Sequence, residues 1–475
     1  MNQTTMTTLQ QAAGWMSGAR IAGDATRAAA CRFTRVHTDS RTVAPGDLFV
    51  ALKGERFDAH DFLADVVARG AAAVLVSRET GLDVPAIVVP DTRIGLGELG
   101  AGWRRQFTLP TVAVTGSNGK TTVKEMIAAI FAAAVGEAAR LATGGNLNND
   151  IGLPLTVLRL RAHHRLAVLE LGMNHPGETV YLAGIAQPTV AVITNAQREH
   201  QEFMVSVEAV AHEHASALAA LPADGVAVFP VDAESGGQHA RIWRDAANAA
   251  PGRRTMSFGT DASADVSATV SLDGEDGVQV LHVTAPGRTF DLRLQLLGAH
   301  NVRNALAATA CALAAGVDVA AIQAGIAGFT AVKGRLQVKH TPAGTVVIDD
   351  TYNANPDSMR AAIDVLAGFA APRLLVLGDM GEVGDQGPAF HTEIGEYARA
   401  RGIEALWAMG ELAPHAVRAY GPAGRHFAQA EDLARALRED NEGTVAGASA
   451  VLVKGSRFMR MERMVDALVA VPSAH

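Results

Sequence analysis

Short runs of apolar and β-branched residues recur along the chain, often followed by a glycine-containing turn and an alanine-rich stretch. The clearest are Thr111–Thr115 (TVAVT), 166–171 (LAVLEL), 190–194 (VAVIT), 346–349 (VVID), 373–377 (RLLVL) and Ala450–Lys454 (AVLVK). They lack polar alternation, as strands covered on both faces do. Strand followed by helix, repeated, predicts parallel sheets with crossover helices. Three blocks result. Residues 1–91 read as a small mixed domain with core strands at 74–76 and 87–89. Residues 92–329 form a central block that opens with a linking helix at 96–106 and includes a β-rich excursion at 263–293. Residues 330–475 carry another doubly wound sheet.

A length of 475 residues, 48% of them apolar, is enough for several cores. Forty-one basic against 49 acidic residues leave a charge of −8, so no global basic field draws in nucleic acid, and anionic ligands need local sites. Cys31 and Cys311 alone give no disulfide framework and fit a reducing compartment. The N-terminus lacks a signal-peptide pattern, and no charge-free apolar run approaches the roughly 18 residues of a membrane span. A cytoplasmic protein without membrane insertion is expected.

The sharpest chemical feature is Thr115-Gly116-Ser117-Asn118-Gly119-Lys120-Thr121-Thr122 between an apolar strand and a predicted helix from Thr122 to about Ala134. Such a loop wraps phosphate oxygens with backbone N–H groups at the positive end of a helix. Lys120 can reach β- and γ-phosphates, and the Thr121 hydroxyl suits Mg²⁺. Val114 stands where the longer motif has its first glycine. The plain alternative, a turn with an exposed lysine, does not explain why strand, loop and helix agree. Glu170 closes an apolar strand just before Gly172, where a carboxylate on the carboxyl edge of a sheet can meet a metal.

Further strings narrow the class: Asn146-Leu147-Asn148-Asn149-Asp150, Glu170-Leu171-Gly172-Met173-Asn174, Gly298-Ala299-His300-Asn301, Asp349-Asp350-Thr351-Tyr352-Asn353-Ala354-Asn355-Pro356, Leu377-Gly378-Asp379-Met380 and Val453-Lys454-Gly455-Ser456-Arg457. With the shortened loop, and with Thr38-Asp39-Ser40-Arg41 near the start, they resemble the Mur ligases and their folylpolyglutamate synthase relatives. The resemblance touches all three blocks. It implies an α/β fold of three domains, in which a central P-loop parallel sheet is flanked by a small mixed α/β N-terminal domain and a Rossmann-like C-terminal domain.

The activity implied is ATP-dependent ligation through an acyl phosphate. The Asp349–Met359 string resembles the branch that joins D-alanyl-D-alanine to UDP-N-acetylmuramoyl-tripeptide, and the DNPR string of the preceding, diamino-acid-adding ligase is missing. ATP and Mg²⁺ are the implied cofactors, the nucleotide-linked tripeptide and the dipeptide the partners, and the monomer the expected state. Rival readings are a sibling amide ligase, or a non-catalytic nucleotide-binding protein on the same fold.

By the same resemblance Lys120, Glu170, His200 and Arg335 carry the catalysis, with Thr121, Glu170 and His200 toward metal. Asn301 would meet adenine, or serve as a helix N-cap; Asp350 would touch ribose or metal-bound water. Ser40 and Arg41 would meet the uridine diphosphate, and His60 and Asp61 fall in a family-like stretch nearby. Asn148, Asn149, Tyr352, Asn353 and Asn355 would line the substrate cleft. Lys454 and Arg457 would hold an anionic substrate group, or cap a surface helix. Many relatives carry a carbamylated lysine about a dozen residues beyond the metal histidine. This chain has no lysine between Arg198 and Arg241, and by spacing the position falls near His214. Glu208 or Glu213 could supply the charge, and Glu213 is the expectation.

Overall fold

In the computed structural model of the chain, residues 5–199, 202–273, 278–440 and 443–470 are described. The apolar runs become interior strands of three larger sheets. The central sheet has nine strands, in the order Arg288–Leu294, Val278–Ala285, Val266–Asp273, Arg254–Gly259, Val226–Pro230, Val190–Ile193, Thr111–Thr115, Leu166–Glu170 and Arg140–Ala142. It is parallel from Arg140–Ala142 as far as Val266–Asp273, and its last two strands extend the edge antiparallel. The predicted excursion is this antiparallel edge. Both chain neighbours of Thr111–Thr115 in the sheet come later in sequence, one on each side, so the order switches there. A crevice opens at the carboxyl ends of strands at such a point.

Two layers cover the sheet. The helix Lys120–Val135 buries Val123, Met126, Ile127, Ile130 and Phe131, a single stripe at helical spacing, against Val112, Val114 and Val168. Complete burial of Phe131 alone contributes roughly 1.5–3 kcal/mol. On the other face Leu182, Val210 and Leu218 pack over Ala113, Leu169 and Ile193. The phosphate-loop helix thus begins at Lys120, two residues before its predicted start.

The N-terminal sheet is mixed, with strands Arg20–Ala22, Ala86–Val88, Ala73–Val76, Asp47–Val50 and Arg35–His37 in that order. Its core residues Leu48, Leu75 and Ile87 run without a break through Leu96, Leu99 and Trp103 into the central core. Those three lie on the helix Thr92–Arg104, which starts earlier than the predicted linker because the Asp91 carboxylate caps it at the N–H groups of Arg93 and Ile94. Gly102 lets Trp15 lie against this helix, since a Cβ there would sit 2.3 Å from Trp15 Cγ.

The C-terminal sheet runs Gln337–His340, Val346–Asp350, Ala450–Lys454, Arg373–Gly378, Ala405–Met409 and Gly424–Phe427, parallel but for its first pair. It has cores of its own on each face. Where it meets the central domain, charged and amide groups form the principal contacts: Arg198 with Asp357 and Glu393, Asn118 with Asn355, Arg335 with Thr121. Among the described residues no helix is long and apolar enough to cross a membrane.

Candidate active site

A cleft of about 850 Å³ opens where the carboxyl ends of the central and C-terminal sheets face each other. Its floor is the phosphate loop. Gly116 takes φ +128, and a Cβ there would lie 2.1 Å from Thr194 Oγ1. Gly119, at φ +82, leads into the helix. A side chain is excluded at the first and strained at the second. The Ser117 N–H donates to Asn195 O and the Asn118 N–H to Asn195 Oδ1, so the strand end beside the loop holds its shape. Lys120 Nζ donates to Gly116 O, to Ser117 O at 3.1 Å, and to Glu199 Oε2 at 3.4 Å.

Glu170 sits beside this loop, 2% exposed. Its Oε1 accepts from the Thr121 hydroxyl at 3.2 Å and from Asn148 Nδ2 at 2.8 Å. Its Oε2 is buried with no hydrogen-bond donor. A buried carboxylate oxygen without a donor is costly unless something cationic meets it. Lys124 and Thr143 stiffen the position from behind: Lys124 Nζ donates to Thr143 O, and the Glu170 N–H to Thr143 Oγ1. From the C-terminal domain Arg335 Nη2 donates to Thr121 Oγ1 at 2.9 Å, with the guanidinium stacked 4.2 Å from the Tyr352 ring centroid. Arg335 Nε is likewise buried without an acceptor. Gly334 and Tyr352 are tied by a backbone bond, Tyr352 N–H to Gly334 O.

The remaining cleft residues are held by one another. Asp350 Oδ2 accepts from Lys454 Nζ at 2.6 Å, and Lys454 donates again to Asn353 O. Lys454 is therefore a buried partner of Asp350, 3% exposed, and not an open cation. Asn355 caps the helix Pro356–Ala367 and donates through Nδ2 to Asn118 Oδ1. Asn149 Oδ1 accepts from the Gly152 N–H at the start of a short helix. Asn301 lies inside the first turn of the helix Ala299–Ala314, whose cap position is Gly298. Its amide reaches back to Leu297 O and accepts from Asn304, so it caps no free N–H.

Several sequence-predicted residues stand elsewhere. Ser40 and Arg41 lie outside the cleft in the N-terminal domain, with Arg41 exposed and paired to Asp39. His60 is buried there between Asp58 and the Ser77 N–H. Arg457 is exposed and bonds to Glu462. His200 lies outside the described residues. The expectation for Glu213 needs correction: its two oxygens accept from the N–H groups of Gly177 and Thr179, at the start of the helix Glu178–Ala186. Glu208 is exposed. The helix Val207–Ala219 turns His214 toward the loop instead, where it touches Thr115 and Glu199. Glu199, Arg198 and Asn195 are site residues that the sequence reading missed. The only available hint was their place just before His200.

Among the described residues no group of three or more His, Cys, Asp or Glu forms a metal cage. Magnesium needs none, because it is commonly held by one or two carboxylates together with phosphate oxygens and water. The donorless Glu170 Oε2 beside the Thr121 hydroxyl fits such an ion.

Fold and site define a three-domain α/β protein whose phosphate loop opens on an interdomain cleft. Family descriptions match it in three stretches: Mur ligase family, catalytic domain, over 32–103; Mur ligase middle domain over 114–312; and Mur ligase, glutamate ligase domain, over 334–457. The chain is 40% identical to the UDP-N-acetylmuramoyl-tripeptide–D-alanyl-D-alanine ligase of Escherichia coli, across 91% of this chain and 93% of that one. It is 34% identical to the ligase of the same name from Bacillus subtilis, across 92% and 93%. A crystal structure of MurF from Acinetobacter baumannii superposes with a TM-score of 0.88 at 36% identity, covering 98% of this chain and 99% of that one. MurF from Thermotoga maritima in complex with ADP gives 0.78 at 26% identity, with 91% and 96% covered. The chain belongs to the Mur ligase family.

Proposed function

We propose that the chain is the ATP-dependent ligase that joins D-alanyl-D-alanine to UDP-N-acetylmuramoyl-tripeptide. The tripeptide carboxylate attacks the γ-phosphorus of ATP, and ADP leaves. The dipeptide amine attacks the resulting acyl phosphate, and phosphate departs as the amide forms and the nitrogen loses its proton. One observation carries this reading: Arg335, from one domain, bonds to Thr121 of the phosphate loop in another, beside a carboxylate oxygen that lacks a donor. That arrangement brings a fixed cation and a metal-ready carboxylate to the place where two anions must meet.

The loop amides and Lys120 hold the β- and γ-phosphates. Glu170 and Thr121 would hold Mg²⁺, which when bound draws charge off the phosphate oxygens. Arg335, clamped by Tyr352, neutralises charge on the transferring group from the opposite wall. Asp350 and Lys454 form a rigid pair at the carboxyl ends of two neighbouring interior strands of the C-terminal sheet, facing the cleft that would admit the dipeptide. Ser40 and Arg41, outside the cleft in the N-terminal domain, would meet the uridine diphosphate. The working unit in this reading is a monomer, its cleft built by the central and C-terminal domains of one chain. Use of ATP and a nucleotide-linked acceptor supports a cytoplasmic reaction.

An isotope experiment tests the chemistry. With ¹⁸O in the terminal carboxylate of the tripeptide, the released phosphate should carry one ¹⁸O, because the acyl oxygen leaves with phosphorus. Unlabelled phosphate alongside ligated product would rule out the acyl phosphate.

A further inference from the structure

A path of buried polar groups touches both ends of the phosphate loop, and the reaction as described leaves it without a role. His214 is fully buried on the helix Val207–Ala219. Its Nδ1 lies 3.0 Å from Thr115 Oγ1 and its Nε2 lies 2.8 Å from Glu199 Oε1. Glu199 is 5% exposed, and its other oxygen accepts from Lys120 Nζ at 3.4 Å. A carboxylate only accepts, so Nε2 carries the proton shared with Glu199, and Nδ1 and the Thr115 hydroxyl share a hydrogen bond on the other side of the ring. Thr115 and Lys120 flank the turn that grips phosphate. Side chains from two other elements therefore tie its first residue to its lysine.

We propose that Glu199 and His214 are positioning residues that aim the Lys120 ammonium at the terminal phosphate. The proposal rests on Lys120 being the phosphate cation. A lysine stem has four rotatable carbons, and its ammonium has three donors. A fixed carboxylate takes one donor, and the other two rest on Gly116 O and Ser117 O, where an arriving phosphate oxygen would take the place of a carbonyl. His214 helps to keep that carboxylate in place, because the ring meets one of its oxygens at 2.8 Å while Lys120 takes the other. No lysine or bound anion is needed at position 214 for negative charge to reach this spot.

The test is a double-mutant cycle on nucleotide affinity and turnover. Titration calorimetry with Mg²⁺ and either ADP or a β,γ-methylene analogue of ATP gives two Kd values, and their ratio reads the contact with the third phosphate. Glu199→Gln should cut both that ratio and kcat by about tenfold, with little change in KM for the dipeptide. His214→Gln, which keeps a donor and an acceptor, should retain more activity than His214→Ala. In a Lys120→Ala background Glu199→Gln should add nothing. Equal effects of Glu199→Gln with and without Lys120 would overturn the proposal, as would an unchanged ratio and kcat. So would a parallel fall of every constant together with the melting temperature. If the wild type bound both nucleotides yet ligated no dipeptide, the ligase reading would fall, and the affinity cycle would still decide this one.

Discussion

Three side chains from separate parts of the chain meet around one oxygen atom: Thr121, Glu170 and Arg335. Each was legible because its neighbours announce it, a phosphate loop for Thr121, a strand end for Glu170 and a glycine turn for Arg335. Glu170→Gln keeps the shape and removes the negative charge available to a cation. It should lower kcat by roughly 10²–10³-fold, a loss typical of removing one electrostatic contributor. Enzyme kinetics at saturating substrate, with magnesium varied, would show it as a weakened metal dependence. Arg335→Lys should be nearly as damaging, because lysine cannot stack flat on Tyr352 while reaching Thr121. Glu213 shows where legibility stops. It and His214 are adjacent on one helix and so point about 100° apart, and only the packing of that helix decides which faces the loop. With an imidazole in that position, and no lysine from Arg198 to Arg241, turnover should be unchanged when bicarbonate and CO₂ are removed. A bicarbonate requirement would contradict the assignment.

The strands were readable because each is apolar on both faces, and helix starts were less so because caps are single polar residues with other uses. Asn355 is such a case, read from sequence as a cleft residue. It caps the helix Pro356–Ala367 by accepting from the Ser358 N–H, and it also bonds Asn118 in the phosphate loop. Asn355→Ala should cost about 1 kcal/mol of stability from the cap alone. It should also raise KM for ATP, which a chemical-denaturation midpoint and a kinetic titration would separate. On the neighbouring helix Gly387–Ala400, packed into the same core, His391 is fully buried, its Nδ1 donating to Gly387 O and its Nε2 accepting from the Met380 N–H. Burial lowers its pKa, so the folded protein holds it neutral. The unfolded chain takes up a proton as pH falls through about 6.5. The stability linked to this residue is therefore present above that pH and lost as pH drops further. Urea midpoints at pH 7.5 and 5.5 should differ more for the wild type than for His391→Gln.

At the scale of the whole molecule, two kinds of interface set what moves. The N-terminal and central sheets share one apolar core, and the C-terminal domain meets them mainly through charged and amide groups. Polar interfaces open more readily. Arg198 spans this one, reaching Asp357 at 2.6 Å and Glu393 at 2.7 Å, directly beside Glu199. Arg198→Ala should enlarge the radius of gyration in small-angle scattering and raise KM for ATP severalfold. Salt should do the same to the wild type in milder form, since the pair is only partly buried. No sequence pattern points to this clasp, because its members lie more than 150 positions apart.

The central claim is that a triphosphate gripped by the Gly116–Thr121 turn activates a carboxylate for attack by a dipeptide amine delivered across the cleft. Phosphate release by the purified protein, with ATP, Mg²⁺, UDP-N-acetylmuramoyl-tripeptide and D-alanyl-D-alanine each omitted in turn, tests it most directly. Sustained release should need all four and should collapse in Lys120→Ala. Release that continues without the dipeptide or the tripeptide, or that survives the loss of Lys120, would contradict it.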